Sequence, residues 1–335
     1  MRLFLKKSVD SKAHSCQTIA SFYGVKGRIL QRQYKDWLSE FKQWEQLKHA
    51  KEFLLFAENL GKHLSIDETA LSHGELYTVL TNKAAKGKKG TIVAIVAGTS
   101  SEKVLEILKQ LPLRLRNKVE EITLDMAGSM NLIAKRCFPN ATLVTDRFHV
   151  QKLASEAVQE LRIKHRWEAI DNENEAIEKA RKNKKAYHPV ILDNGDTIKQ
   201  LLARSRYVLY KNEKNWTKDQ KSRADILFYL YPDIHAAYQL SQQLNWIFES
   251  TKEKIYAYTR LAQWHEKVTK SGFKSFNTIS RTIMNHYKTI LNYFDNRSTN
   301  ASAESFNAKI KAFRSHFRGV RNVDFFLFRL SKIYA

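Results

Sequence analysis

The segment EEITLDMAG, residues 120–128, is a short apolar stretch that ends in an acid, Asp125, directly before a glycine-bearing turn. In KHLSIDETA, residues 62–70, the same arrangement delivers Asp67. Alternation along an extended chain places the apolar side chains of each stretch on one face and its acid on the other. We therefore predict two strands that each carry a carboxylate to the edge of a sheet.

The neighbouring segments predict the rest of that sheet. Apolar or β-branched runs predict strands, and apolar residues three and four positions apart predict helices. In chain order these are strands at HLSID, ELYTVLTN and GTIVAIVAGT, a helix at SEKVLEILKQL, a strand at EEITLD, a helix at SMNLIAKRCF and a strand at ATLVTD. The order βββαβαβ is the plan of the RNase H-like fold, an α/β fold whose mixed sheet carries helices on both faces.

Helical patterns flank this RNase H-like core, whose first part we place at 61–150. Residues 1–60 predict a helical segment in which a turn at Gly24 joins two helices. This segment resembles a helix-turn-helix, with Lys26, Arg28 and Arg32 available to a DNA groove. An ordinary basic helical hairpin would give the same pattern.

Residues 151–295 predict a large all-α insertion domain, because apolar positions recur there at helical spacing. Residues 296–335 predict the last part of the RNase H-like core, which is basic, amphipathic and helical.

The composition favours a polyanionic partner. The chain of 335 residues has a formal net charge of +23 and a calculated pI of about 9.8, which suits nucleic acid, although a generally basic protein remains an alternative. Two cysteines are too few for a disulfide framework or a cysteine zinc site. The amino end lacks the features of a signal peptide, and no apolar run is long enough to span a bilayer. We expect a cytoplasmic protein with no membrane partner.

The acids predict a metal site. If their strands are parallel neighbours, Asp67 and Asp125 emerge side by side at the edge where α/β folds bind ligands. Two close carboxylates repel each other unless a cation lies between them, and oxygen ligands suit Mg²⁺ or Mn²⁺. Two such ions can support phosphodiester cleavage. As an alternative, these acids are helix caps or exposed strand ends.

A third acid comes from NASAESFNAKIKAFRS, residues 300–315. Asn300 or Ser302 is expected to cap a helix there, which places Glu304 in its first turn. Lys311 lies on the same helical face and could hold a DNA phosphate near the metal. A glutamate early in a helix is also a common partner of the helix dipole.

SIDE, TLDMAGSM, LVTDRFHV and NASAESFNAKIKAFRS resemble motifs of the DDE transposases of bacterial insertion sequences, specifically the ISL-three family. The resemblance runs from about residue 62 to the carboxyl end. It implies an RNase H-like catalytic domain in which Asp67, Asp125 and Glu304 form a triad that binds two ions of Mg²⁺ or Mn²⁺. The implied reaction is cleavage at insertion-sequence ends and transfer of the 3′ hydroxyl into target DNA.

The resemblance also bears on residues outside the triad. Members of this family and of the related hAT superfamily carry a Cys or Asp, two residues and a His at the place of Asp146 and His149, which implies that these two lie beside the active site. Asp146 could equally cap the helix that follows it. Transposases that form hairpin intermediates can stack a base on an aromatic residue, for which Trp246 is the candidate, although its apolar neighbours suggest a core position. Three arginines near the last helix are candidate DNA contacts: Arg314, Arg318 and Arg321.

One departure concerns the recognition of element ends. Many relatives begin with a cysteine zinc ribbon that this sequence lacks, so a separately encoded zinc-ribbon protein is an expected partner. Joining two ends predicts a homo-oligomer on double-stranded DNA in the bacterial nucleoid. The competing hypotheses are a non-catalytic DNA-binding regulator or domesticated relic, and an RNase H-like nuclease.

Overall fold

The structure is a computed structural model that describes residues 2–72, 74–317, 320 and 322–335. The chain divides into two units. Unit 1 comprises Met1–Asp146 and Asn296–Ala335, and unit 2 comprises Arg147–Asp295. The structure therefore groups the segments 1–60 and 296–335 with the sheet, in one unit.

Unit 1 is built around a mixed sheet. Within the described ranges its six strands are β1 (Phe53–Leu55), β2 (His63–Ser72), β3 (Glu75–Asn82), β4 (Ile92–Ala97), β5 (Glu121–Leu124) and β6 (Thr142–Thr145). They lie in the order β1-β4-β3-β2-β5-β6. Strand β5 is parallel to both of its neighbours, β2 and β6, and the other pairs are antiparallel. The predicted mixed sheet is confirmed, and β1 is an additional edge strand.

Helices account for most of the remaining described chain. The α-helices before unit 2 are α1 (Arg2–Ser11), α2 (Cys16–Phe22), α3 (Gly27–Gln33), α4 (Ser101–Leu108), α5 (Leu113–Arg116) and α6 (Gly128–Cys137). Those that follow are α7 (Arg147–Lys182), α8 (Ile198–Arg204), α9 (Arg206–Tyr210), α10 (Lys218–Leu230), α11 (Pro232–Ser250), α12 (Lys254–Ser271), α13 (Lys274–Asn285), α14 (Tyr287–Leu291), α15 (Tyr293–Asn296), α16 (Ala301–Ser315) and α17 (Val323–Tyr334). A π-helical turn spans Tyr34–Leu38, and 3₁₀ turns span Phe41–Gln43, Glu45–Lys48, Ala57–Asn59, Lys83–Ala85 and Glu213–Asn215.

The sheet has a hydrophobic core on each face. The two faces of β4 enter different cores, and an irregularity in its pairing with β3, between Leu80 and Thr81, shifts the alternation. Val93 packs in one core with residues of α4 and α6. Ile92 and Ile95 pack in the other with residues of α16 and α17. Helices therefore cover both faces, and α16 is held against the sheet by its apolar stripe.

The amino-terminal helices of unit 1 pack against α17. Helices α2 and α3 are joined at Gly24, whose φ of +62° favours glycine. Their buried residues share a core with Phe325 and Phe328. Buried Arg329 adds polar links, since its guanidinium donates to the backbone carbonyls of Val9, Lys12 and His14 at 2.7, 3.1 and 3.1 Å. The predicted helix pair is present, and its binding to DNA stays a prediction.

Unit 2 is helical around the long helix α7. Helix α7 packs against α8, α9, α11 and α13. Trp264 of α12 is fully buried, and its indole nitrogen donates to the carbonyl of Leu240 at 2.9 Å. In the portion of the chain that the structure describes, no helix has both the length and the apolar character needed to cross a membrane.

Candidate active site

Acidic residues lie at one level on three neighbouring strands of unit 1. Asp67 lies within β2, Asp125 directly follows β5, and Asp146 directly follows β6. The parallel register aligns them. Thr123 of β5 pairs with Ser65 of β2 and with Val144 of β6, and each acid comes two positions after one of these residues. Neighbouring strands are about 4.8 Å apart, so the three carboxylates start from adjacent points on one edge.

Each oxygen of the Asp67 carboxylate accepts a hydrogen bond. Asn307 of α16 donates from Nδ2 to Oδ2 at 2.7 Å. The backbone amide of Glu68 donates to Oδ1 at 2.8 Å. Asp67 is half-buried, and Asn307 is 9% exposed. Both oxygens of Asp67 therefore have a defined direction, and one of them is tied to α16.

Asp125 is oriented by the turn that leads into α6. Its Oδ1 accepts a hydrogen bond from the backbone amide of Ala127 at 2.7 Å, and the side chain is half-buried. An aspartate that binds the amide two residues later is a common way to form such a turn. The glycine-bearing turn noted in the sequence thus sets the direction of this carboxylate.

Helix α16 brings Glu304 to the same acids. Glu304 and Asn307 are three residues apart and share a helical face, and Asn307 contacts Asp67. A carboxylate oxygen of Glu304 lies within 4.8 Å of one of Asp146. Asp146 is fully buried, whereas Glu304 is exposed. Among the residues described, Asp67, Asp125 and Glu304 do not form a set whose oxygens all lie within that distance of one another.

Asn300 occupies the predicted cap position at the start of α16 but makes no side-chain capping bond. Its backbone carbonyl accepts the first helical bond, from the amide of Glu304 at 3.0 Å. The residue is fully buried, and neither its amide nitrogen nor its amide oxygen has a hydrogen-bond partner within the described chain. Buried polar atoms are nearly always paired, and this amide lies one turn from Glu304.

The fold and the row of acids can be set beside known families. A family model described as "Transposase", that of the ISL-three DDE transposases, matches residues 64–330. The chain belongs to the ISL-three transposase family. It is 23% identical over 275 residues to the transposase for insertion sequence element IS1001 of Bordetella parapertussis. That match covers 80% of this chain, and the chain spans about 60% of the relative's length.

The other residues predicted for the active site of this ISL-three family member differ in how far they are exposed. His149 is half-buried in the first turn of α7, three residues after Asp146. Lys311 is exposed on α16. Trp246 of unit 2 is 50% exposed, and the guanidinium of Arg260 lies 4.5 Å from the centre of its ring. The alternative that Trp246 is a core residue is therefore wrong.

The predicted DNA-binding residues of the family member fall into two groups. Those near α3 are exposed: Lys26, Arg28 and Arg32. Arg314 is half-buried, and its guanidinium donates to the carbonyl of Ala70 at 2.8 Å, which helps to hold α16 on β2. Arg318 and Arg321 lie outside the described residues.

Two further residues near the acids were missed by the sequence analysis. Asn307 stands in a quoted motif, but nothing local to it shows that it contacts Asp67. Glu68 is next to Asp67, and strand alternation gave no reason to include it. Burial, followed by the negative charges of Asp125 and Asp67, raises the pKa of the Glu68 carboxyl. Burial is thus the main cause of this shift, and the negative charge at this edge adds to it.

Proposed function

We propose that the chain is a metal-dependent transposase and that unit 1 is its RNase H-like catalytic domain. Asp67, Asp125 and Glu304 would form the metal-binding triad, with Asp146 beside them. The reaction would be strand cleavage at insertion-sequence ends, followed by transfer of the 3′ hydroxyl into target DNA. The supporting observation is the alignment of three acids on parallel strands, with the helix of Glu304 hydrogen-bonded to the first of them.

The donor set suits a hard divalent cation. Carboxylate oxygens are preferred by Mg²⁺ and Mn²⁺, whose bonds of about 2.1 Å let two ligand oxygens lie roughly 3–4 Å apart. The oxygens of Glu304 and Asp146, within 4.8 Å, need only small side-chain movements to reach that spacing. The raised pKa of Glu68 and the unpaired amide of Asn300 are features that a cation with bound water would relieve.

The residues of this chain have separate tasks in that reaction. A pair of divalent ions supplies activation of the attacking oxygen and stabilisation of the leaving one. Asp67 and Asp125 hold their oxygens in place through the hydrogen bonds from Asn307 and from the Ala127 amide. Glu304 brings a ligand from α16. Second-sphere donors of this kind commonly set both the affinity and the geometry of a metal site.

The basic surface provides the means to hold DNA. With a net charge of +23, the chain gains binding energy from phosphate neutralisation, which weakens with salt. Lys26, Arg28 and Arg32 would contact double-stranded DNA, and Lys311 a phosphate near the metal. Exposed Trp246 would stack on a base. Because two ends must be joined, at least two copies of the chain would act together.

The test uses purified protein, Mn²⁺ or Mg²⁺, and a labelled duplex that carries the terminal inverted repeat flanking the gene. Wild type is compared with Asp125→Asn, which keeps the size of the side chain and removes its charge. The matched control is Asp171→Asn, the same change at an exposed position of α7. DNA binding is measured separately, without metal.

We expect metal-dependent nicking at the element boundary by wild type and Asp171→Asn, and its loss in Asp125→Asn with DNA binding retained. Binding without cleavage by all three proteins would favour the regulator hypothesis. Cleavage without regard to the boundary would favour a general nuclease.

A further inference from the structure

A buried polar cluster of unit 1 lies outside the row of acids. The ammonium group of Lys83 donates to Oγ1 of Thr123 at 2.8 Å, to Oε1 of Glu121 at 3.3 Å and to the hydroxyl of Ser298. The hydroxyl of Ser298 in turn donates to Oε1 of Glu121. The side chains of Lys83 and Glu121 are only 16% and 5% exposed. An ion pair removed from water to this extent requires well-placed partners, and here each charge has them.

The cluster lies directly below an acid of the active site. Glu121, Thr123 and Asp125 are at alternate positions of one strand and its end, so they share a face of the sheet. The rise of a strand puts Thr123 about 7 Å from Asp125 along the chain. The same face of β5 therefore presents the cluster and, two residues later, the acid.

The cluster also holds the segment that leads into α16. Ser298 comes two residues after unit 1 resumes at Asn296, and six residues before Glu304. A second contact ties the loop after Lys83 to the same helix, since Lys309 donates to the carbonyl of Gly87 at 2.8 Å. Helix α16 is thus fixed to this loop at its start and along its length.

We propose that Lys83 is a positioning residue for Glu304. By joining Glu121 and Thr123 of β5 to Ser298, it sets where α16 begins and so places the Glu304 carboxylate over the acids of the sheet. The role of Glu304 as a metal ligand rests on the proposed function, whereas the anchoring of α16 does not.

The experiment compares Lys83→Met with Lys88→Met, which makes the same change at an exposed lysine of the same loop. Hydrogen exchange is followed by mass spectrometry for peptides of α16 and, as an internal reference, of α17. Mn²⁺ affinity is titrated without DNA. Ser298→Ala is measured in parallel, because it frees the start of α16 but leaves the Lys83–Glu121 pair in place and should fold in any case.

In Lys83→Met we expect exchange across the first turns of α16 to rise about tenfold, the effect of losing a hydrogen bond to a charged group, with α17 unchanged. Mn²⁺ affinity should fall about 10- to 100-fold, as for other residues that orient a ligand. Ser298→Ala should change both in the same direction by less, and Lys88→Met should change neither.

If hydrogen exchange in α16 is no faster in Lys83→Met and Ser298→Ala than in the control Lys88→Met, the inference is overturned, whether or not the wild type cleaves DNA. Faster hydrogen exchange in α16 of Lys83→Met with unchanged Mn²⁺ affinity would overturn the claim that Lys83 positions Glu304. Failure of the wild type to bind Mn²⁺ or to nick DNA would count against the proposed function and leave the exchange result as the test of the anchor.

Discussion

The hydrogen bond from Asn307 to Asp67 provides a direct perturbation of the candidate site. Asn307→Leu keeps the number and branching of the side-chain heavy atoms and removes the donor. We predict that it raises the Mn²⁺ concentration needed for half-maximal nicking about 10- to 100-fold, with the rate at saturating Mn²⁺ much less affected.

The magnitude follows from the geometry. The bond joins Nδ2 of Asn307 to Oδ2 of Asp67 at 2.7 Å, and Asn307 is 9% exposed, so water cannot readily replace it. A hydrogen bond to a charged group contributes about 1.5–3 kcal/mol. At about 1.4 kcal/mol per factor of ten, this corresponds to roughly one to two orders of magnitude in metal affinity.

The assay is single-turnover nicking of the labelled duplex over a series of Mn²⁺ concentrations, with DNA affinity measured without metal. Asn172→Leu, at an exposed position of α7, is the matched control. A half-maximal Mn²⁺ concentration for Asn307→Leu within twofold of that control would refute the reasoning, because Asp67 would then need no partner on α16.

Further predictions concern stability and pH. Arg329→Met should lower the free energy of unfolding by about 3 kcal/mol, as measured by urea denaturation, because buried backbone carbonyls lose their donor. A loss no larger than that of Lys332→Met, on the same helix, would contradict this. The folded protein holds the Glu68 proton more tightly than the unfolded chain, so this group's contribution to stability falls as pH rises above 4.5. In the absence of metal, the melting temperature of Glu68→Gln should therefore fall less steeply than that of wild type as pH rises above 4.5. The same slope in both proteins would argue against a raised pKa of Glu68. Mn²⁺ should raise the melting temperature more at pH 8 than at pH 5, because protons compete for the carboxylates, whereas equal shifts would speak against a carboxylate site.

Much of unit 1 could be predicted because its signals are local. Alternation identified the strands that carry Asp67 and Asp125, and helical spacing identified α4, which precedes Asp125, and α6, which follows it. The order of elements indicated a mixed sheet, whereas the parallel pairing of the strands that carry Asp67 and Asp125 was assumed and is shown by the structure. Strand β1 was missed, since its three residues are too few to show alternation.

The contacts that organise the site could not be predicted from local patterns. Asn307 and Asp67 are 240 positions apart, and Lys83 and Ser298 are 215 apart. Nothing near Lys83 distinguishes it from the other lysines of its loop, because its role depends on chain that returns after unit 2. Arg329 similarly reads as one more basic residue of an amphipathic helix, although it is fully buried against carbonyls of α1 and of the loop that follows it.

We propose above that Glu304, although remote in sequence from the acids of the sheet, shares a metal site with them. Titration of Mn²⁺ binding to wild type, Glu304→Gln and the exposed control Glu178→Gln tests it most directly. We expect Glu304→Gln to bind Mn²⁺ at least about tenfold more weakly than the other two proteins and not to nick DNA. Equal Mn²⁺ affinity in all three proteins would contradict it.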